Sequence, residues 1–534
     1  MQLPLFSLAQ KKNTDTAKKV PIQVMPGTGI LRYVQTDTGA VNKLIGNVIL
    51  KQGETMMYCD SAYFYLDRNS VEAFGNVKVV QPGSQAQSDY MRYTGNDKMA
   101  YMKGNVVLTD NKSSLWSEEV QYNTGTKVGT YSQGGTLQDS STTVSSNSGI
   151  YDMNTKEVRF TGDVIVTDPQ YNIVSEDMGY NTETKNTIFY ARSTVTSDKS
   201  ILNTSCGTYD SKNQIAHLTC RSSIWNEAQY VEADSIDNNR KTGIGWAVGT
   251  VIAIDTTQHT TLYCGRADFN EKKRNMLATI KPVMKQMNGK DSLFIRADTL
   301  FSAPIPKPAD SQHRPQTITK TVGKGKKKKE VTVAVEDTTS ADSSAPRYFI
   351  GYHHVLIFSD SMQGRCDSIS YSEKDSIMKM MYDPICWSRK SQITGDTILM
   401  YLDSSKVRKV FVPNNALVVS QSGPPRAQFY DQVQGKTLTA FFEKNAIHDV
   451  LVKPDAQAIY FAKDDYGAYL GVNEASSERM KVFFKDEELN HILFEQDVKQ
   501  KLTPLDKADL PSMRLSRFKW LDKKRPKKLT ELFE

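Results

Sequence analysis

Side chains that could do chemistry are few in this 534-residue chain, and their spacing argues against catalysis. The seven histidines include one adjacent pair, His353-His354. Neighbouring side chains of a strand point to opposite faces, so this pair is poorly placed to share a metal ion. The sequence contains no phosphate-binding loop, no dinucleotide fingerprint and no recognisable nucleophile–base set. We therefore predict no enzyme activity, no cofactor and no metal site.

The remaining candidates are acids and thiols that recur at regular positions. Acidic residues form one column at Asp60, Asp89, Glu118 and Glu176. A polar rim beside a turn explains this column better than paired catalytic carboxylates do. The six cysteines include no CxxC pair, and four of them fall at nearly the same place in copies several repeats apart: Cys59, Cys206, Cys264 and Cys366. Their alpha carbons should lie beyond the ~7 Å limit for bridging, so we expect no disulfide among these four.

The elements that would position these side chains are copies of one repeat. Gly-Asn-Val begins at Gly46, Gly75 and Gly104, which are 29 residues apart each time. Weaker copies follow at Gly134, Gly162, Arg192, Arg221 and Gly249. A second column in the same frame consists of Tyr65, Tyr93, Tyr122, Tyr151, Tyr180 and Tyr209. Self-similarity at a fixed period indicates an architecture of stacked units that share one core.

Within each copy, apolar residues alternate with period two, which is typical of strands with one buried face. Turn-forming residues separate the strands, as in Asn123-Thr124-Gly125. We therefore predict an all-β chain in which each copy of about 29 residues contributes two strands and two turns. The residues predicted to face the interior are Val48, Leu50, Val77, Val79, Val106, Leu108, Val164, Val166 and Ile224.

Composition divides the chain into six regions. Residues 1–10 are interpreted as the remnant of an export signal, with a plain N-terminus as the alternative. Residues 11–29 form a polar lead-in, and residues 30–302 form a β-repeat domain. Residues 303–346 are rich in proline, lysine and serine and are predicted to be a disordered insertion. Residues 347–495 form a continued or second repeat region, and residues 496–534 form a basic tail. We favour fraying of the tail in water over docking.

Charge and hydropathy restrict the partners. No run of 18 or more apolar residues is present, so no transmembrane helix is predicted. The net charge of +7 suits acidic partners such as phosphorylated lipid. Without a platform of interleaved basic and aromatic residues, we do not predict nucleic-acid binding.

The repeated Gly-Asn-Val strands, the strands that end in tyrosine and the run Asp60-Ser61-Ala62-Tyr63-Phe64-Tyr65 resemble the OstA-like domain. This domain is shared by LptA-type periplasmic proteins of lipopolysaccharide transport and by the N-terminal part of LptD. The resemblance covers residues 30–302 and, more loosely, 347 to about 480. It implies antiparallel strands bent in half into an open, twisted jelly roll, whose apolar groove holds the acyl chains of lipopolysaccharide (lipid A). It also implies strand-edge pairing with other OstA-like domains.

The resemblance implies a periplasmic lipid-binding bridge or scaffold in lipopolysaccharide transport, associated with the outer membrane and its assembly components. The nine interior residues would line the lipid groove. The alternative is a parallel β-helix that binds polysaccharide or acts as a surface adhesin, which predicts a closed interior. Sequence does not separate a lipid carrier from a scaffold of the same fold. The chain is longer than a minimal bridge protein and lacks the strands of an outer-membrane barrel, so it resembles an extended OstA-like protein.

Overall fold

The structure is a computed structural model that describes residues 22–36, 39–110, 113–288, 291–306, 317–322, 329–334, 345–403, 406–443, 446–464, 466–485 and 488–534. The predicted export signal and most of the lead-in lie outside these residues. The chain forms two compact units, Met1–Asp198 and Lys199–Glu534. Strands dominate both units, and no helix in the described ranges is long and apolar enough to cross a bilayer.

In the first unit the described strands are β1 (Gln23–Val24), β2 (Ile30–Thr36), β3 (Gly39–Gln52), β4 (Thr55–Tyr65), β5 (Ser70–Gln81), β6 (Ser84–Thr94), β7 (Met99–Asp110), β8 (Ser113–Asn123), β9 (Val128–Tyr131), β10 (Gly135–Asp139), β11 (Thr142–Ser146), β12 (Ser148–Asp152), β13 (Glu157–Thr167), β14 (Asn172–Asn181), β15 (Asn186–Phe189) and β16 (Ser193–Thr196).

In the second unit they are β17 (Ser200–Thr204), β18 (Gly207–Asp210), β19 (Ile215–Leu218), β20 (Ser222–Asn226), β21 (Gln229–Ala233), β22 (Ser235–Asn239), β23 (Ile244–Asp255), β24 (Thr260–Asn270), β25 (Asn275–Thr279), β26 (Val283–Asn288), β27 (Asp291–Arg296), β28 (Thr299–Pro304), β29 (Thr317–Val322), β30 (Lys329–Ala334), β31 (Arg347–Phe358), β32 (Gln363–Ser372), β33 (Ile377–Met381), β34 (Ile385–Ser388), β35 (Ser391–Thr394), β36 (Thr397–Asp403), β37 (Lys406–Val412), β38 (Ala416–Ser422), β39 (Phe429–Gly435), β40 (Thr437–Glu443), β41 (Ala446–Lys453), β42 (Ala456–Lys463), β43 (Tyr469–Ser477), β44 (Arg479–Lys485), β45 (Glu488–Glu495) and β46 (Lys499–Pro504). Short 3-10 turns lie at Pro425–Ala427, Leu505–Lys507, Asp522–Lys524 and Leu529–Leu532.

The repeat period appears as pairs of long strands. Copies that begin near Gly46, Gly75 and Gly104 correspond to β3/β4, β5/β6 and β7/β8, and each strand pairs antiparallel with the next. This confirms the predicted all-β fold of stacked, bent antiparallel strands. The strand pairs described in both units are antiparallel, so the parallel β-helix alternative is wrong.

Each long strand bends in its middle, so that its two halves lie in two different layers of strands. The Gly-Asn pair of each copy lies at this bend, which we call the corner. Gly104 (φ +78°) and Asn105 (φ +48°) are both left-handed there, and the register of β7 against β8 shifts. A Cβ on Gly104 would lie 2.6 Å from a carboxylate oxygen of Asp89, so glycine is required. The Asn105 side chain donates to Asp89 at 2.8 Å, and Asn76 donates to Asp60 at 2.9 Å. These two recurrent acids therefore hold the corners in mid-strand, whereas the polar-rim interpretation placed them beside a turn.

From Tyr93 to Tyr180 the tyrosine column lies in register at the end of the layer before the corner, whereas Phe64 and not Tyr65 stands opposite Val71, the partner of Tyr93. Tyr122 stands opposite Ala100 and Gly129, and Tyr151 stands opposite Gly129 and Val158. Large and small side chains thus alternate from strand to strand, which lets the column pack without gaps. This alternation explains why tyrosine recurs once per 29 residues rather than on every strand.

In the predicted insertion 303–346, β29 and β30 pair with each other as a separate hairpin. Residues 307–316, 323–328 and 335–344 lie outside the described residues, so disorder of those segments stays a prediction. Both β27 and β28 pair with β31, so the ladder of the second unit continues from one side of the insertion to the other. The insertion is therefore a loop within one stack of that unit.

The basic tail, residues 496–534, is packed against the second unit, including residues 514–534, which were expected to fray. Lys499–Pro504 forms β46, which pairs with β43. The segment that follows, residues 505–534, which we call the strap, crosses the stack and buries Met513 and Leu532. Its composition is that of a solvated tail, but its apolar side chains find a complementary surface. The expectation of a frayed tail was wrong for this reason.

Cys206 and Cys220 form a disulfide with a Cα–Cα distance of 5.7 Å. Cys59, Cys264, Cys366 and Cys386 are free and buried, so none of the four cysteines discussed above is bridged to another of the four. Sequence reasoning missed the Cys206–Cys220 pair. Their separation of 14 residues, half a repeat, was the available signal, because it places two cysteines on adjacent strands near neighbouring corners.

The free thiols are expected to be unreactive in the native protein. Burial raises the pKa of Cys59 to about 11 and that of Cys264, Cys366 and Cys386 to about 12, so each remains a protonated thiol at neutral pH. Thiol titration without reductant should therefore detect almost no reactive thiol in the native protein and four after unfolding. Six thiols after unfolding would contradict the disulfide.

Candidate functional site

The nine residues predicted to face the interior lie on the inner face of the strands. Those beside a corner are almost completely buried and face small partners: Val48 pairs with Cys59, Val77 with Ser88, Val106 with Ser117, and Val164 with Ser175. Small partners allow the two layers to approach each other closely there. Next to the corner the interior is therefore packed, and open space can exist only farther from it.

Farther from the corner, inner residues of the first unit form one continuous column. It comprises Leu50, Met57, Val79, Ala86, Leu108, Leu115, Leu137, Val144, Val166 and Ile173, each opposite the next. Leu50 and Val166 are buried, whereas Val79 and Leu108 are only partly buried although they face the space between the layers. Ile224, in the second unit, is partly buried opposite Leu202 and Val231. The column is thus an apolar trough, open to solvent along part of its length.

The second unit contains a cavity of about 280 Å³ between its two layers. One wall is a column in register, Phe349, Tyr371, Met378, Met400 and Val410. The facing wall includes Met284, Leu293, Ile295, Met362 and Ile393. The volume lies near the lower end of that typical of small-molecule pockets, about 300 Å³.

The chemistry of this cavity is apolar inside and polar at its rim. Leu402, Val407, Phe442 and Ile447 extend the apolar lining, and Gln258, Gln286, Ser359, Ser361, Glu373, Ser388, Ser391 and Lys406 complete the boundary. Burial raises the pKa of the Tyr371 hydroxyl, as expected in surroundings poor in water. Methionines at several wall positions can adapt to ligands of varied shape. The cavity suits a flexible hydrocarbon with a polar end.

None of the nine predicted residues lines this cavity. Sequence reasoning placed the groove mainly where the repeat is most regular, in the first unit, with Ile224 alone in the second, and missed the wall residues of the cavity. A signal was present, because Met362, Met378, Met380, Met381 and Met400 lie within 39 residues. Whether the nine residues contact lipid stays a prediction.

In the first unit an ion pair joins the ends of the two layers that lie away from the corner. Asp139 ends β10 in the layer after the corner, and Lys185 lies in the turn that follows β14 in the other layer. The Asp139 side chain is only 5% exposed, and Lys185 Nζ contacts its Oδ2. Burial and the charge of Asp139 raise the pKa of the neighbouring Tyr180 hydroxyl. We call Asp139 and Lys185 the latch, because together they bridge the mouth of the trough.

His353 and His354 lie at the corner of β31 rather than in regular strand, with φ values of +60° and +51°. The strand-alternation reasoning therefore does not apply to them. His353 Nδ1 lies 3.1 Å from Asp367, and His354 Nδ1 lies 2.8 Å from Asp298. Each ring thus contacts a different carboxylate at the strand corner.

The outermost strands leave apolar inner residues exposed. In the first unit, β2 pairs with β3 and with no other described strand, and Leu31, opposite the buried Leu44, is 55% exposed. In the second unit, β46 pairs only with β43 among the described strands, and Leu502 is 56% exposed. Both strand edges are therefore available for pairing as far as the described residues show.

No curated protein matches the chain. Among solved structures, the chain is similar to LptH of Pseudomonas aeruginosa, described as the LptA-homologous periplasmic component of the lipopolysaccharide transport device. That match has 14% identity, covers 27% of this chain and 95% of LptH, and has a TM-score of 0.22. At this TM-score it says nothing further about the arrangement of the strands.

A family model gives the more specific result. The model described as "OstA-like protein" matches residues 28–176, which include the regular Gly-Asn-Val copies and the tyrosine column from Tyr65 to Tyr151. The predicted resemblance is confirmed over that part of the chain: residues 28–176 are similar to the OstA-like family.

Proposed function

We propose that this protein is a periplasmic lipid-binding component of lipopolysaccharide transport, which holds acyl chains between its two strand layers. The observation that carries the proposal is the apolar cavity of about 280 Å³ in the second unit. A protein that served only as a scaffold would need no such space, because close packing of the layers is more stable. Each acyl methylene removed from water would contribute about 0.8 kcal/mol to binding.

The trough of the first unit supports the same proposal. Val79 and Leu108 face inward yet remain partly accessible, as a groove open along one side requires. Of the nine predicted residues, those farther from the corner would then bind lipid by burial, with sugars left outside. No catalytic residue is needed for this task, and none is proposed.

Two further features support the location and the partners. The Cys206–Cys220 disulfide suits an oxidising compartment such as the periplasm. The available edges of β2 and β46, each with an exposed inner leucine, suit strand addition by other OstA-like domains. Association with outer-membrane assembly components would follow from such end-to-end joining.

The proposal is tested by placing a photo-crosslinking amino acid at adjacent residues of β33. Met378 is 3% exposed and lines the cavity, whereas Lys379 is exposed on the opposite face. After irradiation of cells, lipopolysaccharide should be attached at Met378 and not at Lys379. In the first unit, Leu108, which is partly accessible in the trough, should label and the outward Lys78 should not. Equal labelling at inward and outward positions, or labelling at none, would reject lipid binding and leave a scaffold.

A further inference from the structure

A row of buried glutamines holds the strap in one place. Gln392 is 0% exposed, accepts from the Leu521 N–H at 2.8 Å and donates to the Lys519 carbonyl at 2.8 Å. Gln432, also 0% exposed, makes the same two bonds to Leu515 and Met513 at 2.9 and 3.2 Å. Each glutamine side chain thus acts as a substitute strand partner for the strap backbone.

These glutamines lie on the outer surface of the layer, away from the cavity. Cys386 and Ile393 line the cavity, so their neighbours Trp387 and Gln392 face the opposite side of the sheet. Trp387 is nevertheless 0% exposed, because the strap covers this surface. The side of the strap that does not contact the sheet is therefore held facing solvent.

The solvent side of the strap is strongly basic. Residues 514–528 contain eight lysines and arginines and one acid, Asp522, a net charge of +7 that equals the formal net charge of the entire chain. The exposed lysines of this segment that form no ion pair with a described residue are Lys519, Lys523, Lys524 and Lys528. Nine residues separate the first from the last, so even a fully extended chain would spread them over at most about 30 Å.

Other cations of the strap are used for anchoring. Arg525 donates to Gln363 Oε1 at 2.8 Å, and burial lowers the pKa of its guanidinium. Arg514 stacks over the Tyr430 ring, 5.1 Å from its centroid. The division between anchoring arginines and solvent-facing lysines gives the strap one face for the sheet and another for a partner.

The geometry points to an anionic lipid bilayer as the partner of this lysine face. Several lysines on a backbone that is already held in place can meet a plane of phosphate groups at several points without further ordering of the chain. Single-stranded nucleic acid would require exposed aromatic platforms for base stacking. The strap aromatics Phe518 and Trp520 are instead partly buried against Tyr430, at centroid distances of 5.5 and 5.2 Å. That the protein lies in the periplasm, near a membrane, rests on the proposed function. The arrangement of the exposed lysines does not depend on that proposal.

The test is sedimentation of the purified full-length protein with vesicles of phosphatidylglycerol and phosphatidylethanolamine, or of phosphatidylcholine alone. We expect binding to the anionic vesicles only, and its loss between about 0.1 and 0.5 M salt. The combined variant Lys519→Gln, Lys523→Gln, Lys524→Gln and Lys528→Gln should bind roughly several hundred-fold more weakly, at about fivefold per lysine. The control variant Lys103→Gln, Lys212→Gln, Lys374→Gln and Lys379→Gln removes four exposed lysines elsewhere and should bind like the wild type.

Three outcomes would overturn the inference: equal binding to both kinds of vesicle, an equal loss in both lysine variants, or equally tight binding of a single-stranded oligonucleotide that the strap variant also loses. The last outcome would make the strap a general polyanion site. Crosslinking of lipopolysaccharide at Met378 should persist in the strap variant, because the cavity and the lysines lie on opposite sides of the layer. Failure of the vesicle test is thereby distinguished from failure of the lipid-binding proposal.

Discussion

Replacement of Gln392 by leucine is expected to lower the free energy of unfolding of the second unit by about 3 kcal/mol. Leucine keeps the approximate volume of the side chain but leaves one buried and two partly buried polar groups without their partner. These are the Leu521 N–H, the Lys519 carbonyl and the Trp387 indole N–H, which now lies 3.3 Å from Gln392 Oε1. Each unpaired buried group costs roughly 1–3 kcal/mol. Hydrogen bonds to water that enters when the strap loosens offset part of this cost.

Urea unfolding followed by Trp fluorescence measures this loss, and brief trypsin treatment shows where it acts. Cleavage at Arg517 and Lys519 should become faster, because both residues lie in the part of the strap that Gln392 and Gln434 hold. Gln500→Leu is the matched control, since Gln500 is exposed on β46, and it should change stability by less than about 0.5 kcal/mol. Equal stability and equal cleavage in Gln392→Leu and Gln500→Leu would contradict the structural role of the glutamine row.

The parts of the fold that follow from local sequence could be predicted. Period-two alternation and turn composition indicate the strands, and the spacing of Gly104 from Gly75 indicates the repeat. The exact role of the Gly-Asn pair could not be predicted, because the pair reads as a strand start in sequence. It lies in mid-strand instead, where the Asp89 carboxylate of the adjacent strand accepts a bond from Asn105.

The strap illustrates what sequence patterning cannot resolve. Its partner Gln392 is 127 residues away from Lys519, and a polar residue in a strand normally indicates a solvent-facing side. One local clue existed: four consecutive residues of β38, Ala416 to Val419, are apolar and all are buried. A strand that is apolar on both faces needs a second covering layer. The cavity was missed for a different reason, since empty volume depends on how side chains of two layers meet and not on alternation within either.

Replacement of Lys185 by methionine is expected to open the trough of the first unit at the latch. Asp139 is 5% exposed and would lose its cationic partner, while methionine keeps the length of the side chain. Loss of one member of a buried pair costs about 3–5 kcal/mol. Because Lys185 is itself 35% exposed, solvent screens part of that interaction, and about 2 kcal/mol is the expected loss. The two layers should then separate more often at their free ends.

A cysteine introduced at Leu137 reports this opening, because Leu137 lies two residues before Asp139 on the inner face of β10 and is 4% exposed. Its labelling by maleimide, located by mass spectrometry, should be about tenfold faster or more in Lys185→Met than in the parent, since about 1.4 kcal/mol corresponds to a factor of ten. Lys156→Met is the matched control: Lys156 lies 29 residues earlier at the same turn position, with the same φ of +64°, and forms no ion pair with a described residue. Labelling that rises equally in both variants would show that any lysine at this turn position affects the opening. The ion pair with Asp139 would then not be what closes the trough.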